Sequence, residues 1–441
     1  MKGRLTRLKA LGLVKASELP PPASDVPLPV LETPLQALDA KPFSPKTHVR
    51  ERRERGSFLP GWEQMAPHVF TRTVETSLVL EGEGGATFDH SHFINQRSRR
   101  KRGEDALPSA KVPYERLSFF DFETTGLSGG SGTIAFLAAI GYFEGKSFFV
   151  RQIFIDDFPG EPGFLELCLR CLAERPEIVT YNGAAFDMSL LRTRCIMNGI
   201  AVPTFSHIDL LHCTRRLWKR TLGSCSLQAL EDSVLGEGRE GDVPGFLIPR
   251  LWFDYSASCP APAEESIEAM GKIADHNLLD VRSLARLFLR VERIMALPEA
   301  LWSAEKACGR QLALELAAAG RSQAAFSILE EAGSEGDQTA LRLLARMYRR
   351  EGRLEDYVRA VESMDGGSIE GCIEKAKLYE HFKKNPEQAL GHTQRALKML
   401  GDSFREGTAS VEMRGYLERK KDLERRQARL MRKMEKLLQK S

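Results

Sequence analysis

The sequence predicts an α/β domain built on a mixed sheet, followed by an all-α domain of helical repeats. Three observations carry this. Aromatic and β-branched runs in the middle of the chain are hairpin-like at first and then alternate with helical segments. Strand patterns disappear from about residue 300. Beyond that point related helical segments recur at a near-constant offset.

The sheet elements come in order. LSFFDF (117–122) reads as a buried strand. IAFLAAIGYF, the turn EGK and SFFVRQIFI read as a β-hairpin. EPGFLELCLRCLAER is a helix, EIVTYN a strand, AAFDMSLLRTRCIMNG a helix with a glycine stop, and SHIDLL another strand. A final helix over roughly 263–294 carries Ile273, Leu278, Val281, Leu284 and Leu287 at helical spacing. FTRTVETSLVLEG, earlier in the chain, alternates like a strand.

In the repeats Ala313, Ala345 and Ala376 align, as do Gly320 with Gly352 and Tyr348 with Tyr379, at offsets of 32 and 31 residues. That is close to the 34-residue period of tetratricopeptide-type helical hairpins. Such hairpins bury their apolar faces by stacking, and they serve either as a concave partner surface or as a cap on the first domain. The expected organisation is a basic N-terminal helix and Pro-rich linker over 1–60 and an extension over 61–113. An α/β domain over 114–296, helical repeats over 300–410 and a basic terminal helix over 411–441 follow. The terminal helix either closes the repeats or touches phosphates.

Composition narrows the function classes. A 441-residue chain with 42% hydrophobic and 28% charged residues is that of a soluble multidomain protein. No apolar run approaches a membrane span and the N-terminus lacks a signal core, so a cytoplasmic location without membrane contact is expected. The eight cysteines are then reduced, and Cys168-x-x-Cys171 is helix packing rather than a metal knuckle. Net charge is only +3, but basic residues cluster in RERRER (50–55), RSRRKR (97–102) and the C-terminal tail.

Two chemistries compete in FFDFETTGLSGGSGTIAF (119–136). Gly130-x-Gly132-x-x-Ala135 satisfies a dinucleotide fingerprint, but a hairpin follows where that mechanism needs a helix N-terminus. No Lys follows the glycines, which removes the phosphate-loop reading. The carboxylates remain. Asp121 and Glu123, two apart on a strand, face the same way in an otherwise apolar context. Asp187 opens a helix directly after a strand. His276 and Asp280 are four apart on one helical face. Four hard carboxylates suit Mg²⁺ or Mn²⁺, and two such ions with a nearby His can drive in-line attack on a phosphodiester.

At these residues the chain resembles the DEDD superfamily of 3′→5′ exonucleases, which have a ribonuclease H-like fold. DFETTGLSGGSGT, RRLWKRTLGSCSLQALE, GDVPGFLIPRLWFDY and DHNLLD more narrowly resemble the bacterial YprB-type family, which joins a DnaQ-like exonuclease domain to tetratricopeptide-like helices. The resemblance implies a DNA exonuclease in repair, with a ribonuclease or a non-catalytic repeat scaffold as alternatives. It implies two divalent cations on Asp121, Glu123, Asp187 and Asp280, and water handled by His276. DnaQ-type enzymes place that His five residues before the last Asp. Here the gap is four, so general base and water positioner both stay open. Thr124, Thr125, Gly126, Asn182 and Phe186 would meet the terminal nucleotide. The implied partners are a single-stranded or duplex DNA 3′ end and, through the repeats, a helicase or other repair protein.

Lesser signals have local readings. Trp218, amid Arg215, Arg216, Lys219 and Arg220, either stacks on bases or is buried beneath a basic face. Asp209 reads as a strand-end structural acid, and Asp89, His90 and His92 as a surface strand.

Overall fold

The computed structural model describes residues 59–80, 87–95, 99, 110–126, 132–239, 241–258, 262–303, 307–405 and 413–439. The N-terminal helix, the Pro-rich linker, RERRER, all of RSRRKR but Arg99, and Gly129 to Ser131 lie outside them.

Nine strands are described: β1 Glu63–Ala66, β2 Val69–Val79, β3 Thr87–Asp89, β4 Lys111–Pro113, β5 Leu117–Thr124, β6 Ala135–Glu144, β7 Ser147–Ile155, β8 Glu177–Thr180 and β9 Ser206–Asp209. Seven form one sheet in the order β1-β2-β7-β6-β5-β8-β9, while β3 and β4 pair separately. The β5–β8 and β8–β9 pairings are parallel and the rest antiparallel, giving the expected mixed sheet. Its start is a correction to the expected domain boundary. β1 and β2 belong to it through the long β2–β7 ladder, so the sheet begins at Glu63 rather than after 114. The alternation in FTRTVETSLVLEG is that of a strand with one covered face.

The helices of the α/β region are α1 Glu161–Glu174, α2 Asp187–Met197, α3 Leu210–Leu222, α4 Leu227–Leu230, α5 Ile248–Ala257, α6 Glu264–Ala296 and α7 Pro298–Leu301. The period-two geometry of β5 divides its side chains between two cores. Phe120 and Phe122 pack with Phe164, Leu172, Leu191 and Trp252 from α1, α2 and α5. Leu117 and Phe119 face Val281, Leu284 and Phe288 of α6. Asp121 and Glu123 share that second face, so the strand register alone aims them at α6. Gly141 of β6 permits the close approach, since a Cβ there would stand 2.5 Å from Val281 Cγ1 and 2.4 Å from Phe148.

Seven further helices follow: α8 Gly309–Ala318, α9 Ser322–Ser334, α10 Gln338–Arg350, α11 Leu354–Glu362, α12 Ile369–His381, α13 Pro386–Arg405 and α14 Met413–Leu438. Positions aligned in the sequence share local surroundings in two respects. Ala313, Ala345 and Ala376 are all buried, and Gly320 and Gly352 both take the left-handed conformation that ends a helix. The core that packs α6 on the sheet continues without interruption to Leu316, Leu344 and Val361 of these helices. The Cys308 amide donates to the Leu217 carbonyl at 2.6 Å, tying the start of α8 to α3. Leu423 and Leu430 of α14 are buried, and Arg426, Arg429 and Lys433 converge on Glu380. The terminal helix therefore docks on α12 and α13. No helix among the described residues is long and apolar enough to cross a membrane.

Candidate metal and nuclease site

The sheet's parallel pairing brings distant segments together. β5 delivers Asp121 and Glu123 near its C-terminal end, and β8, parallel to it, leads to the loop 181–186 and then Asp187. That loop is tightly made. Asn182 adopts a left-handed φ of 63°, and a Cβ on Gly183 would lie 2.5 Å from Thr180. Asp209, at the end of β9, accepts the backbone N–H groups of Asn182 at 2.8 Å and Ala184 at 3.2 Å. Its structural reading holds, and its task is to fix the loop that presents Asp187.

Asp121, Glu123, Asp187, His276 and Asp280 line one cavity of about 270 Å³, together with Thr124, Gly126 and Phe186. Thr125 and Asn182 are not among its lining residues. The Thr125 hydroxyl accepts the Ile134 amide at 3.0 Å, closing the neck of the glycine-rich loop. Asn182 serves the turn just described. Trp218 is a correction: it is fully buried beneath α3, so its ring offers no face to a base, and its large apolar area explains the placement. Asp89 caps a short turn by accepting the Ser91 amide, and His92 faces Glu292 at 3.4 Å. Cys168 and Cys171 are buried free thiols.

The acids crowd one another. Burial first, then repulsion from Asp187, Asp280 and Glu123, holds the Asp121 carboxyl well above its usual range, partly offset by a hydrogen bond from Asn277. Burial, followed by Asp280, Asp187 and Asp242, does the same to Glu123. Burial pushes Asp187 up to about 7 against hydrogen bonds from backbone amides. Buried carboxylates that raise one another in this way mark a place short of positive charge. Oxygen donors plus one imidazole are a hard ligand set, and Glu123, His276 and Asp280 already converge closely enough to hold a cation. The residues fit a divalent metal.

Two residues in contact with the cluster were not singled out in the sequence. His276 Nδ1 lies 2.7 and 2.8 Å from the two carboxylate oxygens of Asp242, in the loop before α5. A carboxylate only accepts, so Nδ1 carries a hydrogen, and in the neutral imidazole the lone pair is then on Nε2. That Nε2 faces Glu123 at 3.8 Å and Asp280 at 3.6 Å. Arg239 of the same loop pairs with Glu231 and Asp280, and with Asp242 at 3.2 Å, bringing positive charge to the rim of the cluster. Both sit in the loop stretch REGDVPG (239–245), where no strand or helix periodicity singles out Arg239 or Asp242.

A mixed sheet with acids on a central strand, at the start of the helix after its parallel neighbour and on a covering helix is that of a ribonuclease H-like domain, and residues 118–291 match the RNase_H_2 family of the RNase_H superfamily. The chain belongs to the same family as the uncharacterized protein YprB of Bacillus subtilis (strain 168). The two are 32% identical over 360 residues, covering 77% of this chain and 85% of that protein. A family B DNA polymerase from the hyperthermophilic archaeon Pyrobaculum calidifontis aligns with a TM-score of 0.30 and 14% identity. That alignment spans 61% of this chain and 34% of the polymerase, too distant a likeness to carry an argument.

Proposed function

We propose that the protein is a divalent-metal-dependent exonuclease that hydrolyses DNA from the 3′ end, as part of DNA repair. The observation that carries this reading is the convergence of Asp121, Glu123, Asp187 and Asp280 on one cavity, with His276 Nε2 turned towards two of them. Two Mg²⁺ or Mn²⁺ ions held by these four acids would supply Lewis-acid stabilisation of the phosphate charge and an acidified water.

The chain's own groups do the rest. Asp242 fixes the imidazole so that His276 Nε2 can take a proton from an attacking water. Phe186, about half exposed at the mouth of the cavity, offers an apolar face to the terminal base. Thr124 ties its hydroxyl to the Gly126 carbonyl at 2.8 Å, which keeps the strand end compact where a nucleotide would approach. On this reading the helical repeats present a surface to a partner such as a helicase or another repair protein.

The test is an assay on end-labelled single-stranded DNA, duplex DNA and RNA, with Mg²⁺, Mn²⁺ or chelator. Stepwise shortening from the DNA 3′ end is expected, abolished by chelator and by Asp187→Ala. Activity that survives both changes would sink the metal mechanism. Shortening of RNA alone would assign the protein to ribonucleases.

A further inference from the structure

The loop that delivers Asp187 has two sides. On one lies the acid cavity, lined by Phe186 and Asp187. On the other lies a second cavity of about 630 Å³, whose wall includes Ala184, His207, His212, Arg215 and Arg216. Ala184 and Phe186 are two residues apart, so at most about 7 Å of extended chain separates the two hollows.

Helix α3, which walls the second cavity, is strongly one-sided. Leu211, Cys213, Thr214, Leu217 and Trp218 are buried, while His212, Arg215, Lys219 and Arg220 are exposed at spacings that share one face. The helix holds no acid at all. Among the described residues no ion pair involves Arg215, Lys219 or Arg220. Arg216 is engaged, by Glu315 at 3.8 Å and by the Phe93 carbonyl at 3.3 Å. The carboxylate of Asp209 also borders the cavity, but its oxygens are taken up by the amides of Asn182, Ala184 and Leu211. Positive charge is therefore left over, and it stands beside the loop that places a catalytic acid.

We infer that this face of α3 and the cavity beside it carry the sugar–phosphate backbone of the strand whose end enters the acid site. The inference rests on the proposed nuclease function and adds the route of the strand. Trp218 gives the face its rigidity from below: a fully buried indole under the helix fixes where the arginine and lysine stems emerge. Phosphate is the chemistry recognised, so contacts here would be blind to sequence and sensitive to salt.

The experiment measures fluorescence anisotropy of a labelled single-stranded oligonucleotide, as DNA and as RNA, on the full chain in chelator across a salt series. Arg215→Ala/Lys219→Ala is expected to weaken binding about ten-fold near 0.1 M salt and to reduce the slope of log affinity on log salt by about 1.4, at roughly 0.7 per phosphate contact. Arg215→Lys keeps the slope. Arg116→Ala, just before β5 and away from the end that carries the acids, changes neither quantity. The effect is the same for DNA and RNA, because phosphate is common to both. A double variant with the wild-type slope overturns the inference and leaves the nuclease reading standing. A loss confined to RNA also overturns it, since it would place the contacts on the 2′-hydroxyl. Wild-type protein that binds neither oligonucleotide removes the nuclease reading and the inference together.

Discussion

Asn277 donates a side-chain hydrogen bond to Asp121 Oδ2 at 2.9 Å, from a position with no solvent exposure. Behind it, Gln152 Nε2 reaches Asn277 Oδ1 at 3.1 Å and the Ala274 carbonyl at 2.7 Å, and Arg72 donates to Gln152 Oε1 at 2.7 Å. A relay thus crosses β2, β7 and α6 to reach the acid on β5. Two buried amides in an apolar interface are costly unless each polar atom is used. Here they aim one carboxylate oxygen.

The relay predicts the behaviour of Asn277→Leu. Removing the partner of an acid that holds metal typically costs 10- to 100-fold in metal affinity. Gln152 loses one acceptor as well, for roughly 1–3 kcal/mol of stability. Mn²⁺ titration and thermal melting of the full chain measure the two effects separately. Unchanged Mn²⁺ affinity with lowered stability would reduce the relay to core packing.

Asp242 predicts a different pattern. In Asp242→Asn the amide can present its N–H to Nδ1, which favours the imidazole tautomer with hydrogen on Nε2, the wrong one for taking a proton. The rate is expected to fall about 10²- to 10⁴-fold, the upper end being that of the comparable change in serine proteases. Mn²⁺ affinity should stay within a few-fold, because Asp242 is not among the four acids. Single-turnover rates against metal titration decide this. A near-normal rate would make His276 a bystander.

The crowding of the acids predicts a trade between stability and metal binding. Asp121→Asn removes one charge from a buried cluster whose members raise one another's pKa. The metal-free protein should therefore melt higher than wild type, by on the order of 1–2 kcal/mol, while Mn²⁺ no longer stabilises it. Calorimetry with and without Mn²⁺ checks both signs. A lower melting temperature without metal would contradict the repulsion argument.

Much of the fold and most of the site were legible because they depend on local rules. Asp121 and Glu123 follow from a period of two on a strand, and His276 with Asp280 from one helical turn. The strand β2 was readable as a strand but not as part of this sheet, since its partner β7 lies about eighty residues away and pairing register is not a local property. Asp242, although inside the motif GDVPGFLIPRLWFDY, and Arg239 were not singled out as site residues for a related reason. They stand in a loop, where no period marks a side chain as inward, and only tertiary packing turns them on His276 and Asp280. Trp218 shows the converse. Its basic neighbours suggested a surface, but on a helix those neighbours occupy the opposite face, and the indole went to the core.

The docking of α14 carries a pH signature of its own. Glu380 has a fully buried side chain within reach of Arg426 at 3.2 Å, Arg429 at 2.8 Å and Lys433 at 2.9 Å. Burial alone would raise its pKa, but hydrogen bonds from Arg429 and Lys433 outweigh that and bring it to about 2. A folded-state pKa below the unfolded one means stability that is fully present above the usual glutamate range. It is lost as pH falls from about 4.5 towards 2. The full effect is about 3 kcal/mol at 1.36 kcal/mol per pKa unit. Glu380→Gln should be less stable than wild type at pH 7, with three cations left around a neutral amide, and the gap should close as pH drops through that window. Melting curves of both proteins between pH 2 and 7 measure it, and a gap independent of pH would show that the cluster holds α14 by packing rather than by charge.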